Sequence, residues 1–300
     1  MQTRPRRTSQ RRTACRAAGA AALAVAALAA AALLAGCSAT AADEVQRDQL
    51  IVATTTSLND CGLLEDVVLP AFAGLEPDVT VKVVAVGSGE ALAMGARGEA
   101  DVLLVHSPAG EERLVADGHG TLRLPFACNR FVIAGPEDDP AGVRGASSAA
   151  DAFAAIAAAG AAFVSRGDES GTHAKELEIW RAAGVTPGGD WYLSTGQGMA
   201  ESLRVAAEKQ AYILVDRATL VAQGDASDLV ALFTGGGDLT NVYDVVIVNQ
   251  NEFPAVNAAA AERLAQWLVS AEGQERIAAY GADEYGEPLF DACAGRLGAY

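Results

Sequence analysis

Between Ser165 and His173 the chain reads Ser-Arg-Gly-Asp-Glu-Ser-Gly-Thr-His, just ahead of a helical pattern. Arg166 supplies a planar fork of donors, Ser170 and Thr172 supply hydroxyls, and the glycines leave backbone N–H groups open to a ligand. The first N–H groups of a helix have no partner and lie at the positive end of its dipole, so a helix start draws anions. A guanidinium beside it suits tetrahedral oxyanions. Taken alone, the segment reads just as well as an Asp/Ser helix cap with a surface arginine. Two more clusters of the same character tip that balance: Thr54-Thr55-Thr56-Ser57 and Gly87-Ser88-Gly89. Each places hydroxyls ahead of a helical pattern, and Asp168 is the one carboxylate expected near the ligand. The chemistry is capture of an anion by donors.

Other chemistries fit less well. Ser170, His173 and Asp168 are the residue types of a hydrolase triad, but they crowd within six residues, whereas a triad needs a base aimed at its nucleophile and an orienter behind it. No Gly-x-Ser-x-Gly elbow appears. The glycines at 87, 89, 95 and 98 lack the third fingerprint position and the acidic residue of a dinucleotide site. Cysteine spacing fits no metal site. The expectation is a binding protein, not an enzyme, with no cofactor.

The elements that position these clusters alternate. Strand patterns at 50–53, 79–86 and 100–105 interleave with helical ones at 62–72, 90–97 and 110–117. A second block has strands at 131–134, 163–164 and 212–215, helices at 149–159, 174–183 and 198–208, a long strand at 241–249 and a helix at 255–270. Such alternation predicts an α/β fold with a mostly parallel sheet covered on both faces. Open sheets of this kind bind ligands beyond the carboxyl ends of their strands. All three clusters follow strands.

The first 36 residues read as a secretory signal peptide: six arginines, an Ala/Leu run from Ala17 to Ala35, and small residues at its end. The run closes on Leu34-Ala35-Gly36-Cys37, which resembles a lipobox and implies a lipid on Cys37, with residues 37–48 as a lipidated tether. Arg11-Arg12 leaves the export route open between general secretion and twin-arginine export. Without the six leader arginines, 16 of the 22 basic residues face 38 acidic ones, a net charge of −22. That excludes nucleic acid as a partner, which demands clustered Lys and Arg. An acidic protein that binds an anion needs a local, buried donor set. Cys61, Cys128 and Cys293 allow one internal disulfide, for which Cys61–Cys293 is the expected pair.

The assembled pattern resembles the substrate-binding lipoproteins of bacterial tungstate ABC importers, the TupA type. The resemblance rests on Ala53 to Ser57, Val84 to Gly89, Ala100 to Pro108, Ser165 to His173, Trp191-Tyr192-Leu193 with Thr195 to Met199, and Ala211-Tyr212 with Asp216-Arg217. It runs in order from about residue 50 to 290. It implies a two-lobed, periplasmic-binding-protein-like (class II) fold with two crossing hinge strands. Lobe 1 would span 45–127 plus 246–300 and lobe 2 would span 128–245. It also implies that Thr55, Thr56, Ser57 and Ser88 hold the oxyanion from lobe 1, and that Arg166, Ser170, Gly171 and Thr172 hold it from lobe 2. Asp168 and His106 would stand behind them. The implied partners are an ABC permease and ATPase at a cell membrane, with the receptor lipid-anchored on its outer side. The chain departs from the pattern at Asn129-Arg130-Phe131 and at Ile213-Leu214-Val215, so Arg130 is expected either to charge the cleft or to face solvent.

The Arg-x-Asp-x-Ser-Gly-Thr spacing also resembles the corresponding loop of phosphate receptors. Phosphate keeps a proton near neutral pH, and an all-donor cavity would leave that proton unpaired, at a cost of roughly 1–3 kcal/mol. Those receptors carry a carboxylate where this chain reads His106-Ser107-Pro108. Tungstate, molybdate and sulfate are unprotonated dianions, so they are favoured over phosphate. Tungstate ranks first and molybdate second on the resemblance alone, with a phosphate or sulfate receptor, and then an exported hydrolase, as the alternatives.

Overall fold

The computed structural model describes residues 49–224 and 228–295. The leader, Cys37 and the tether lie outside the described residues. Strand β1 (Gln49–Thr55) is parallel to both β2 (Thr80–Val86) and β3 (Val102–Val105). Between them come α1 (Thr56–Asp60), a π-helical turn (Leu64–Val68), α2 (Leu69–Leu75) and α3 (Ser88–Ala96). α4 (Pro108–Ala116) then leads into β4 (Gly120–Gly135). The second half has α5 (Ala149–Ala159), β5 (Phe163–Ser165), α6 (Gly171–Ala182), β6 (Tyr192–Ser194), α7 (Met199–Glu208) and β7 (Tyr212–Asp216). α8 (Arg217–Ala222), β8 (Val230–Phe233), β9 (Thr240–Val248), α9 (Ala258–Val269), α10 (Ala271–Ala279), α11 (Ala282–Tyr285) and β10 (Asp291–Ala292) follow. The main strand order is β2-β1-β3-β9-β4-β7-β5-β6.

The sheet is less parallel than the alternation predicts. β9 is antiparallel to β3 and β4, and β4 is antiparallel to β7. The reason lies in β4, whose Gly120–Arg130 stretch pairs with β9 while Phe131–Gly135 pairs with β7 and β8. It carries the chain from one half-sheet to the other, and β9 brings it back. Two strands with opposite errands must run in opposite directions.

Period-two alternation assigns each half-sheet two faces, both buried under helices, the usual condition of parallel strands. Val52 and Leu104 pack with Phe72, Leu264 and Trp267, whereas Ala53, Leu103 and Val105 pack with Ala91 and Leu114 on the other side. In the second half Ile133 and Leu214 meet Phe153 and Trp180, and Val132, Ile213 and Val215 meet Met199 and Leu203. Among the described residues no helix is long and apolar enough to cross a membrane.

The disulfide joins Cys128 to Cys293, with Cα atoms 5.6 Å apart, and not Cys61 to Cys293 as expected. β10 pairs with β4 at Ala127 and Cys128, which carries Cys293 to its partner. Cys61 closes α1, is buried, and donates to the Leu58 carbonyl at 3.2 Å.

Beside β9, Arg123 bridges two buried acidic side chains, Glu111 at 2.9 Å and Asp244 at 2.8 Å. Burial first, then the neighbouring Asp244, raises the Glu111 pKa well above the carboxylate range. A raised folded-state pKa means that the folded chain keeps a proton which the unfolded chain releases near pH 4–5, so stability falls as pH rises toward the folded value. Glu111→Gln mimics the protonated acid. Its melting temperature should fall less between pH 6 and 9 than that of the wild type; parallel curves would refute this assignment.

Candidate anion-binding site

Arg166 follows β5 directly and is 2 % exposed, so a full guanidinium side chain is among the largest buried in the fold. Its Nη2 donates to Thr56 Oγ1 at 3.0 Å and pairs with the Asp168 carboxylate. Its Nε and Nη1 have no protein partner. Buried donors left unpaired cost about 1–3 kcal/mol each, more when charged, so a fold keeps them only where something else accepts their protons. Ser88 Oγ and Thr172 Oγ1 are buried and unpartnered as well.

Local backbone explains how these groups converge. Ser170 caps α6 by accepting from the His173 N–H at 3.3 Å, which leaves its own hydroxyl proton to give away. Thr55 caps α1 in the same way, accepting from Leu58 N at 3.3 Å. Gly87 precedes α3 and Gly171 opens α6, so both helix starts face the cluster with their first N–H groups. Loops from the two half-sheets touch here. A Cβ on Gly89 would meet the Glu169 carbonyl at 3.0 Å, and one on Gly171 would meet the His106 carbonyl at 2.5 Å. Gly167 has φ +57° with Ser194 pressed against it, a position only glycine fills.

The structure therefore gathers the expected residues. Arg166 is hydrogen-bonded to both Thr56 and Asp168, Ser88 opens α3, and Ser170, Gly171 and Thr172 form the cap and first residues of α6 where the two half-sheets touch. Thr55 and Ser57 sit 3.2 Å apart by their oxygens. Ser57 also lies 3.1 Å from Tyr243 Oη and 3.5 Å from His106 Nε2. His106 is buried and its pKa falls to about 4, chiefly through burial and also through Arg166, against the opposing pull of its bond to Asn241. It is neutral at physiological pH. A cavity of about 430 Å³ adjoins the cluster at His106 and Gly171 and is lined further by Phe131, Lys175 and Asn241. The unpartnered donors do not line it.

Two further points separate the alternatives. His173 turns its Nδ1 to the Glu169 N–H at 3.1 Å and does not aim at the Ser170 hydroxyl, so the triad residue types are not aligned for catalysis. Arg130 is exposed and donates to the Gly236 carbonyl at 3.4 Å, on the solvent side. What sequence reasoning missed is the set behind the site. Asn129, Asp216, Asn241 and Tyr243 form one buried network. The available signal was polar residues within or at the ends of strongly apolar strands, where an unpaired polar group is disfavoured.

A model of the PBP superfamily domain matches residues 38–272. The tungstate-binding protein TupA of Peptoclostridium acidaminophilum is 42 % identical over 263 residues, covering 85 % of this chain and 91 % of that one. Among solved structures, the tungstate ABC transporter protein of Geobacter sulfurreducens is 45 % identical with a TM-score of 0.72, covering 78 % of this chain and 99 % of that one. TupA of Desulfovibrio alaskensis G20 is 39 % identical with a TM-score of 0.67, covering 82 % and 99 %. The chain belongs to the PBP superfamily and, within it, to the TupA-type substrate-binding proteins.

Proposed function

We propose that this protein is the extracytoplasmic receptor of an ABC importer and that it captures a tetrahedral oxyanion, tungstate in the first place and molybdate in the second. The observation that carries this reading is the buried donor set: Arg166 Nε and Nη1, Ser88 Oγ and Thr172 Oγ1, all without a protein partner. Thr55, Thr56 and Ser170 by their hydroxyls, and Ser57 and Gly171 by their helix-start backbone N–H groups, complete the shell, and Asp168 steadies Arg166. The names of the relatives support tungstate over other dianions. The protein acts by binding and release, without catalysis. Lobe 1 (45–127 plus 246–300) and lobe 2 (128–245) close over the ion about β4 and β9, and the closed form docks on a membrane permease with its ATPase.

Calorimetric titration of the chain beyond Cys37 tests the reading. Tungstate and molybdate should bind far more tightly than sulfate and phosphate, since the site must span a larger ion. Saturation at a thousandfold excess over Kd should stabilise the fold by about 4 kcal/mol and compact it in small-angle scattering. Phosphate in first place would transfer the assignment to phosphate receptors, and no binding of any of the four would remove it.

Anchoring carries its own test. With a lipid on Cys37, Cys37→Ala should release the protein from the membrane fraction. A variant that is processed and stays membrane-bound would exclude the lipid.

A further inference from the structure

The TupA-type reading uses the donors that face the ion and leaves the network behind them unexplained. Asp216 ends β7 and is fully buried. Its Oδ1 accepts from Ala218 N at 2.9 Å and Thr219 N at 3.3 Å, which makes it the cap of α8. A cap explains that oxygen only. Its Oδ2 accepts from Tyr243 Oη at 2.7 Å and Asn241 Nδ2 at 2.7 Å, and Asn129 Nδ2 reaches both oxygens at 2.9 Å. Asn129 belongs to β4, and Asn241 and Tyr243 belong to β9, the two strands that join the halves.

Counting protons along this network fixes their directions. Burial raises the Asp216 pKa while the Tyr243 and Asn129 bonds and the α8 amides oppose the rise. Donors occupy both oxygens, leaving no place for a proton, so the group is an acceptor only. Tyr243 must then give its proton to Asp216, and its oxygen is left to accept at 3.1 Å from Ser57. Asn241 spends its two N–H bonds on Asp216 and on Asn129 Oδ1 at 2.9 Å. Its own carbonyl oxygen must therefore accept from His106 Nδ1 at 2.8 Å. That places the ring proton on Nδ1 and leaves Nε2 bare toward Ser57. Thr219 Oγ1, on the capped helix, also reaches the Ser57 carbonyl at 3.4 Å.

We propose that Asp216 is a positioning residue of the anion site, setting from the joining strands which way the protons of His106 and Ser57 point. It rests on the oxyanion reading above. The benefit is preorganisation: hydroxyl and imidazole dipoles held in one arrangement need no reordering when the ion arrives. Asp216→Asn keeps the size but turns one oxygen into a donor facing donors. The Asn241 amide must then flip, and the His106 proton moves to Nε2.

Nitrogen NMR of the uniformly labelled protein tests this directly, because the whole chain has three histidines. Wild-type His106 should carry its proton on Nδ1 between pH 6 and 8. In Asp216→Asn the Nε2-protonated form should appear and tungstate affinity should fall at least tenfold. Tyr243→Phe should keep the Nδ1 proton and lose affinity by a smaller factor. A wild-type proton on Nε2, or tungstate binding by Asp216→Asn within twofold of wild type, would overturn the proposal. So would lost affinity with an unchanged tautomer, which signals a structural role only. If Asp216→Asn does not fold, unaltered affinity in Tyr243→Phe serves the same end. Failure of the wild type to bind tungstate would remove the oxyanion reading instead, and the wild-type tautomer would still judge the network.

Discussion

Arg166→Ala should weaken tungstate binding by roughly 2–5 kcal/mol, the range for truncating one partner of a buried charged contact, which is about 30- to 4,000-fold in Kd. The size follows from what the guanidinium does. One nitrogen is spent inside the protein, on Thr56 and Asp168, and two N–H-bearing nitrogens remain, each buried and unpartnered. Arg166→Lys retains a positive charge but offers a single point of donors in place of the fork, so it should lose less than the alanine variant. Calorimetry at one pH and salt concentration ranks the three proteins. Equal affinity in wild type and Arg166→Ala would show that the ion binds elsewhere.

The fold was legible where side-chain period speaks plainly. The three strands up to Val105 and α3 fall where the pattern puts them because each strand there is a mainly apolar run closed by a polar βα turn, whereas the single helix expected over 62–72 is a π-helical turn followed by α2, and the five-residue α1 gives no signal. The sequence shows Phe131 to Ala134 as a strand, yet β4 begins at Gly120. Its first stretch mixes Thr, Arg and Pro: residues 122–125 are half-buried and the pairing with β9 shifts register between Pro125 and Ala127, so no strict alternation shows. α8 was missed because six residues are too few for a helical period to register, and its start depends on the Asp216 cap. The cysteine pairing failed for a topological reason. Only the pairing of β10 with β4 brings Cys293 to Cys128, and nothing local in either segment reports that contact.

Legibility of the site divides along the same line. Arg166, Asp168, Ser170 and Thr172 are neighbours in sequence, and their chemistry shows as a motif. Asn129, Asp216, Asn241 and Tyr243 lie on three strands from both halves, so their common purpose appears only once the strands are assembled. In the sequence, the absence of a carboxylate after β3 reads as a wall of donors alone. His106 occupies that place as a neutral ring whose Nδ1 is bonded to Asn241.

Gly171→Ala should abolish capture more completely than removal of any single hydroxyl. Gly171 has no special φ and opens α6, so alanine suits its backbone and favours the helix. The obstacle lies across the contact. A Cβ there would sit 2.5 Å from the His106 carbonyl oxygen and 3.0 Å from two atoms of its ring, and the carbonyl is backbone that cannot swing aside. The start of α6 must retreat by several tenths of an ångström, roughly the margin between a 2.9 Å hydrogen bond and a broken one. Every donor of the second half would then reach the ion too late: Thr172, the α6 amides and Arg166 together. Affinity should drop by at least about a hundredfold, on the order of two lost charge-assisted bonds, while the ligand-free melting temperature stays level or rises. Gly89→Ala, with its Cβ 3.0 Å from the Glu169 carbonyl, should show the same effect at smaller size. Small-angle scattering with saturating tungstate should find Gly171→Ala as extended as the ligand-free wild type. Tungstate binding within threefold of wild type, with full compaction, would mean that the halves tolerate the wedge and that this contact does not govern closure.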